Sequence, residues 1–180
     1  MKPCFPLIAA LVGLAIAGLA TSDPATAQIP FDSSRNQAVG ATVGLASGTG
    51  ISYQDILPSA LGYRAAILAW KKGDSSFFDV GLSGLRILSD DGSRRVYRVA
   101  SMFCGRRSEE QAEVEFDDLG NIVTERVFDD VDDSGALGLG AGVELPLGGS
   151  AALSLEGVFT YWTDSGDLIP VPQVSLHWLF

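Results

Sequence analysis

Four charged residues stand where strand alternation would turn them inward. Arg64 lies in the stretch Leu61–Lys71, Arg98 in Arg95–Cys104, Glu144 in Leu137–Leu147, and Glu156 in the run that follows Gly148-Gly149. A carboxylate taken out of water must pair with a cation or shift its pKa. Two chemistries follow: a salt-bridge network that fills an interior, or a carboxylate pair serving an ion path or proton transfer. The two arginines beside the two glutamates favour the network. His177 is the single histidine, and alternation also turns it inward. A hydrolytic set would need a nucleophile and an acid beside it. No His-x-Ser pattern occurs, so no catalytic residue is assigned and His177 is read as packing or hydrogen bonding. One histidine and one cysteine beyond the N-terminal region, Cys104, argue against a transition-metal site, and no metal or cofactor is expected. Cys104 is read as a small buried side chain, although Arg106 and Arg107 nearby would favour a thiolate.

A second candidate is acidic. Asp129, Asp130, Asp132 and Asp133 offer clustered hard oxygens that suit weak divalent-cation binding, such as calcium. They lack the spacing and the closing glutamate of an EF-hand loop. A solvated, self-repelling surface loop is the plainer reading.

These residues are positioned by segments with a period of two. At the end of the chain Val174, Leu176, Trp178 and Phe180 alternate with Gln173, Ser175, His177 and Leu179. Upstream, Leu137, Leu139, Ala141, Val143, Leu145 and Leu147 alternate with Gly138, Gly140, Gly142, Glu144 and Pro146. Such alternation predicts strands with one apolar face. The opposite face carries glycine and occasional charge, which suits a narrow lumen. Turn signals at Ser47–Gly50, Pro58-Ser59, Lys72–Ser75, Asp90–Ser93, Gly148-Gly149 and Asp164–Asp167 separate the segments. The first strand is expected over Gln37–Ala46. The fourth, Phe77–Leu88, slips parity, and a bulge near Ser83-Gly84 is expected to restore it. Ser108–Ser134 carries eleven carboxylates and one arginine, and reads as an acidic hairpin within a long loop.

The resulting fold class is all-β: an eight-stranded antiparallel up-and-down transmembrane β-barrel after a cleaved signal peptide. Residues 1–27 are expected to be that peptide, with Lys2, an apolar run of fourteen residues from Leu7 to Ala20, and Ala25-Thr26-Ala27 before the cut. The run is too short for a spanning helix, so a membrane form must be a closed barrel. Cleavage leaves 153 residues: a periplasmic lead-in at 28–36 and a barrel at 37–180. With both termini in the periplasm, the one long connection, 108–134, falls outside, as in bacterial barrels. A net charge of −10 excludes nucleic acid as a natural partner. The seven tyrosines and tryptophans Tyr53, Tyr63, Trp70, Tyr97, Tyr161, Trp162 and Trp178 are read as interface aromatics or lumen packing.

With these features the chain resembles the small eight-stranded outer-membrane barrels, the group of the outer-membrane protein A barrel domain and outer-membrane protein X. The alternating strands from Gly135 onward, the A-x-A site and the ending Leu176, Trp178, Phe180 carry the resemblance. It implies a Gram-negative outer-membrane location, with lipid and lipopolysaccharide as surroundings. It also implies that Val174, Leu176, Trp178 and Phe180 act as the signal read by the barrel assembly machinery. Ser175 departs from the glycine often found there, and no peptidoglycan-binding domain is expected after the barrel. A non-enzymatic structural or surface-interaction role is expected. The alternatives are a lipid-modifying barrel enzyme and a secreted soluble barrel around a small apolar ligand.

Overall fold

The period-two segments form eight strands, each antiparallel to the next, and the last pairs with the first to close a barrel. They are β1 (Gln37–Val43), β2 (Gly50–Ile56), β3 (Leu61–Lys72), β4 (Ser75–Asp90), β5 (Arg95–Phe116), β6 (Ile122–Gly148), β7 (Ala151–Trp162) and β8 (Leu168–Leu179). The computed structural model describes residues 36–73, 75–116 and 122–180. The signal peptide at 1–27 and the lead-in up to residue 35 lie outside the described residues.

Register sets the barrel's shape. From Val39 the ladder of paired residues runs through Tyr53, Ala65, Leu82, Met102, Leu137 and Tyr161 to Leu168. Val39 itself pairs with Trp178, ten residues further along β8. A stagger of ten on eight strands tilts them by about 40° to the barrel axis. The seam is closed by Phe180 N–H donating to the Gln37 carbonyl at 2.9 Å.

The faces follow from alternation. Outward lie Val39, Val43, Ile51, Ile67, Phe78, Leu82, Leu139, Leu155, Phe159, Val174, Leu176, Trp178 and Phe180, each at least 39% exposed. Inward lie Thr42, Ser52, Gln54, Arg64, Ser154, Glu156, Gln173, Ser175 and His177, all buried. On β7 the outer face carries no charge from Leu153 to Tyr161. At about 3.3 Å per residue and a tilt near 40°, that belt is roughly 20 Å tall. Water would not tolerate this inverted polarity, but a bilayer requires it. The molecule is a transmembrane barrel of outer-membrane type. The soluble alternative, with an apolar cavity inside and a polar face outside, is ruled out by the same arrangement.

Three expectations are corrected. The first strand stops at Val43, and residues 44–49 turn into the lumen. The bulge in β4 lies between Ile87 and Ser89, opposite Tyr97 and Val96. No break occurs at Ser83-Gly84, because Leu85 and Ile87 belong inside. They join Ala46, Ile56, Tyr97, Val99 and Val158 in an apolar cluster within the lumen. The acidic segment is a hairpin, but not one set within a long loop: it continues β5 and β6, paired out to Phe116 and Ile122.

The turn between β4 and β5 shows local chemistry that holds a short connection. Asp91 Oδ1 accepts from Ser93 Oγ at 2.6 Å, from Ser93 N–H at 3.0 Å and from Arg94 N–H at 3.0 Å. These donors, Ser93 foremost, hold the Asp91 carboxyl down at about 2. Gly92, at φ +78°, supplies the left-handed residue the turn needs.

Candidate functional site: a sealed lumen and a projecting ribbon

The lower lumen holds one connected polar network. Arg64, on β3, donates to Glu156 on β7, and its Nε and NH2 donate to Gln54 Oε1 at 3.0 and 2.8 Å. Tyr97 O–H donates to the same Glu156 oxygen at 2.7 Å. Gln54 passes the chain on, its Nε2 donating to Glu144 Oε2 at 2.9 Å. Arg95 then bridges Glu144 at 2.8 Å and Asp90 at 2.9 Å. The side chains of these ion pairs are at most 4% exposed. Each glutamate is paired with a guanidinium and buried. The arrangement can brace the wall and block passage. In a low-dielectric interior such a network is favourable only when its members are mutually satisfied.

Above it, the 44–49 turn lies across the lumen. Ala46 and Ser47 are buried. Ser47 N–H and Oγ both donate to Gln173 Oε1 on β8, the former at 2.9 Å. Thr49 N–H donates to Asp79 Oδ2 on β4 at 3.2 Å. Gly81 is obligatory here, because a Cβ at that position would strike the Ser47 carbonyl. A Cβ on Gly138 of β6 would meet the Ala46 methyl, the Ser101 hydroxyl and Val158. The turn therefore touches walls on several sides and stoppers the lumen at the end from which β5 and β6 project.

The sequence-derived candidates are placed as follows. Arg64, Glu144 and Glu156 are brought together in the lumen. Arg98 is not: it is exposed on the outer face, and Arg95 occupies the inward position. The expectation failed because β5 turns its apolar residues, Tyr97 and Val99, inward. Asp90, Arg95, Gln54 and Tyr97 were missed as members. The pairing of Asp90 with Arg95 across a four-residue turn is the signal that would have found two of them. His177 is buried, with Nε2 3.0 Å from Ser52 Oγ. Cys104 is half-buried and shares the outer parity of Ala100 and Met102, rather than sitting inside.

Val174, Leu176, Trp178 and Phe180 all face outward. Asp132 and Asp133 are neighbours in a strand and so point to opposite faces of the ribbon. Asp133 pairs with Arg106 Nε at 3.4 Å. Asp129 and Asp130 lie in the same strand, and their side chains fall outside the described set. Among the described residues no three His, Cys, Asp or Glu gather as a metal ion would need.

The second feature is length. β7 and β8 have 12 residues each, whereas β5 has 22 and β6 has 27. Pairing of β5 with β4 ends at Glu109, and pairing of β6 with β7 ends at Ala136. Beyond those points the two strands continue as a ribbon paired only with each other.

No protein-family model matches the chain, and no curated protein matches it by sequence. Among solved structures it is similar to the outer membrane protein Ail of Yersinia pestis in a phospholipid bilayer nanodisc: 10% identity, 80% of this chain and 97% of that one, TM-score 0.40. It is similar also to neisserial surface protein A, with 15% identity, 78% and 88% coverage and a TM-score of 0.41. Crystalline Ail of Yersinia pestis bound to the heparin analogue sucrose octasulfate gives 10% identity, 81% and 95% coverage and a TM-score of 0.42.

Proposed function

We propose that the protein is a non-enzymatic outer-membrane barrel whose working surface is the acidic ribbon of β5 and β6. One observation carries this reading: the barrel is sealed from within while two of its strands run far past the rim. A plugged lumen whose glutamates are ion-paired favours neither a pore nor a hydrolytic centre. The residues from Ser108 to Ser134 hold eleven carboxylates against one arginine. Such a ribbon favours a cationic partner, a basic stretch of polypeptide, whose approach it accelerates electrostatically. The barrel wall contacts lipid and lipopolysaccharide. Val174, Leu176, Trp178 and Phe180 form an outward stripe at the closing seam, which is where an assembly machinery would read the last strand.

The test replaces residues 108–131, which lie between the cross-strand partners Arg107 and Asp132, with an Asn-Gly turn, which suits a two-residue hairpin. Cells displaying either form are offered a fluorescent oligolysine. Folding is followed by heat-modifiable gel mobility. The expected result is an unchanged barrel and a loss of probe binding of roughly tenfold or more at low salt, fading as salt rises. Equal binding by both forms would remove the ribbon as the functional surface.

A further inference from the structure

The barrel wall is notched on the ribbon side. β1 pairs with β8 only as far as Val43 and Val174, and β2 pairs with β3 only as far as Ile51 and Ile67. Beyond those points β8 continues to Leu168 against β7 alone, and β3 continues to Lys72 against β4 alone. Residues 44–49, which would carry β1 into β2 along the wall, turn inward to Gln173 and Asp79 instead. The notch between β8 and β3 is three strand spacings wide, roughly 14 Å.

β8 carries a matching signature. Phe180 N–H points towards β1, donating to the Gln37 carbonyl, and Leu179 N–H points towards β7, donating to the Ser150 carbonyl. Donors alternate sides along an antiparallel strand, so residues 172 and 170 would aim theirs at the vacant side. Both are proline. Proline has no N–H, so two donors that hydrocarbon would leave unsatisfied are absent from the open edge.

The notch lies within the apolar belt. At a tilt near 40° a row of paired residues climbs roughly 3 Å per strand. Ala65 and Tyr161 share one row, so Ala65 stands roughly 12 Å the lower, and Trp70, five residues up β3, regains that height. Ile169 pairs with Thr160, the neighbour of Tyr161. Trp70 and Ile169 thus flank the notch at the level where the uncharged outer face of β7 ends.

Behind the notch the inner face changes character. Below the 44–49 turn it is polar, with Gln54, Arg64 and Glu156. Above the turn the inward parity brings Leu68 and Trp70 on β3, Phe77 on β4, Phe103 on β5, Trp162 on β7 and Ile169 on β8. Phe103 and Trp162 meet edge to face, their centroids 6.2 Å apart. Trp70 shares the parity of buried Arg64 and Ala66, yet is 61% exposed; Ile169 shares that of buried Val171 and Gln173, yet is 43% exposed. The turn forms the floor, and β8 rises roughly 10 Å from Gln173 to Ile169. An exposed apolar concavity marks a binding surface. This one is continuous with the lipid-facing wall, because exposed Val43, Ile67 and Val174 form the lower lip of the notch.

We propose that this cup binds one acyl chain of a lipid in the ribbon-side leaflet. The chain enters sideways through the notch between β8 and β3 and rests on the 44–49 turn. The occupant is a membrane chain rather than a soluble molecule because the cup opens onto the hydrocarbon layer.

The experiment uses the full barrel refolded into phosphatidylcholine vesicles that carry a phosphatidylcholine with a diazirine near the end of one acyl chain. Adducts formed on irradiation are mapped by peptide mass spectrometry. A short-chain alcohol bearing a diazirine, added to the aqueous phase, is the second probe. Ile169→Trp narrows the cup, and Phe159→Trp adds bulk on the outward face of β7 as the control. Heat-modifiable mobility reports that each variant has folded.

The expected result is lipid-probe labelling of Trp70, Phe77 and Ile169 as well as of outward Leu139, with Gln54 and His177 unlabelled. Ile169→Trp loses the adducts on Trp70 and Phe77 and keeps that on Leu139, whereas Phe159→Trp keeps all three. Labelling of Leu139 without labelling of the cup would overturn the site, as would cup labelling that Ile169→Trp leaves unchanged. A cup labelled by the alcohol and not by the lipid would overturn the acyl-chain assignment in favour of a soluble apolar ligand. If Ile169→Trp fails to fold, the contrast on the wild type between the cup and Gln54 and His177 still decides it.

Discussion

Arg64 shows what a buried charge demands of its neighbours. Its guanidinium meets Glu156, Gln54 and Tyr97, and each of these is itself buried. Removing one member of such a pair strands the other in a low dielectric. Glu156→Leu should therefore cost about 3–5 kcal/mol, whereas Arg64→Met/Glu156→Leu should recover most of that loss. Urea unfolding in lipid vesicles, followed by tryptophan emission, checks both. A double variant as damaged as the single one would show that the pair does more than satisfy itself. At this scale the sequence was a partial guide. Arg64, Glu144 and Glu156 were legible because they stand opposite apolar faces in strands with clean alternation. Arg98 was misassigned because both faces of β5 carry apolar residues, so polarity alone could not say which one is inside.

At the level of elements, the 44–49 turn is the part that makes this barrel a plug. It depends on the absence of a side chain at Gly81, whose Cβ would occupy the position of the Ser47 carbonyl. Gly81→Val should expel the turn at a cost of about 1–3 kcal/mol, the usual penalty of overpacking. In a Cys104→Ser background, Ser47→Cys should resist a membrane-impermeant maleimide and become labelled once Gly81→Val is added. Labelling that is unchanged by Gly81→Val would mean the turn is not wedged against β4. The turn was foreseen at Ser47–Gly50 from composition, but its inward fold was not. A run of small residues permits either direction, and only contacts with Gln173 and Asp79 on distant strands choose between them.

For the whole molecule, the outside is the apolar phase boundary, and depth should set the cost of a charge. Ile67 stands well within the belt and is 50% exposed, while Leu168 lies at the outer edge and is 64% exposed. Ile67→Arg should cost about 2–4 kcal/mol and Leu168→Arg about 0–1 kcal/mol, read as shifts in unfolding free energy in bilayers. Similar costs at both positions would contradict a bilayer around this wall.

Period-two alternation, short turns between strands and the even strand number were written in the chain itself. They required a closed barrel with a lipid-facing wall, because a strand pattern that is apolar on one side and polar on the other has no other stable use in a bilayer. The tertiary structure decided what fills that wall. Closure with a stagger of ten brings Arg64, Glu156, Gln54, Glu144, Arg95 and Asp90 to neighbouring positions in the lumen. Those residues are spread from 54 to 156 in the sequence, and no local pattern relates them. The lumen accepts apolar and charged side chains alike, so facing was settled by packing. The acidic hairpin was legible in the sequence, but that it continues β5 and β6 past their neighbours was not, since a strand's end is set by where its partners stop.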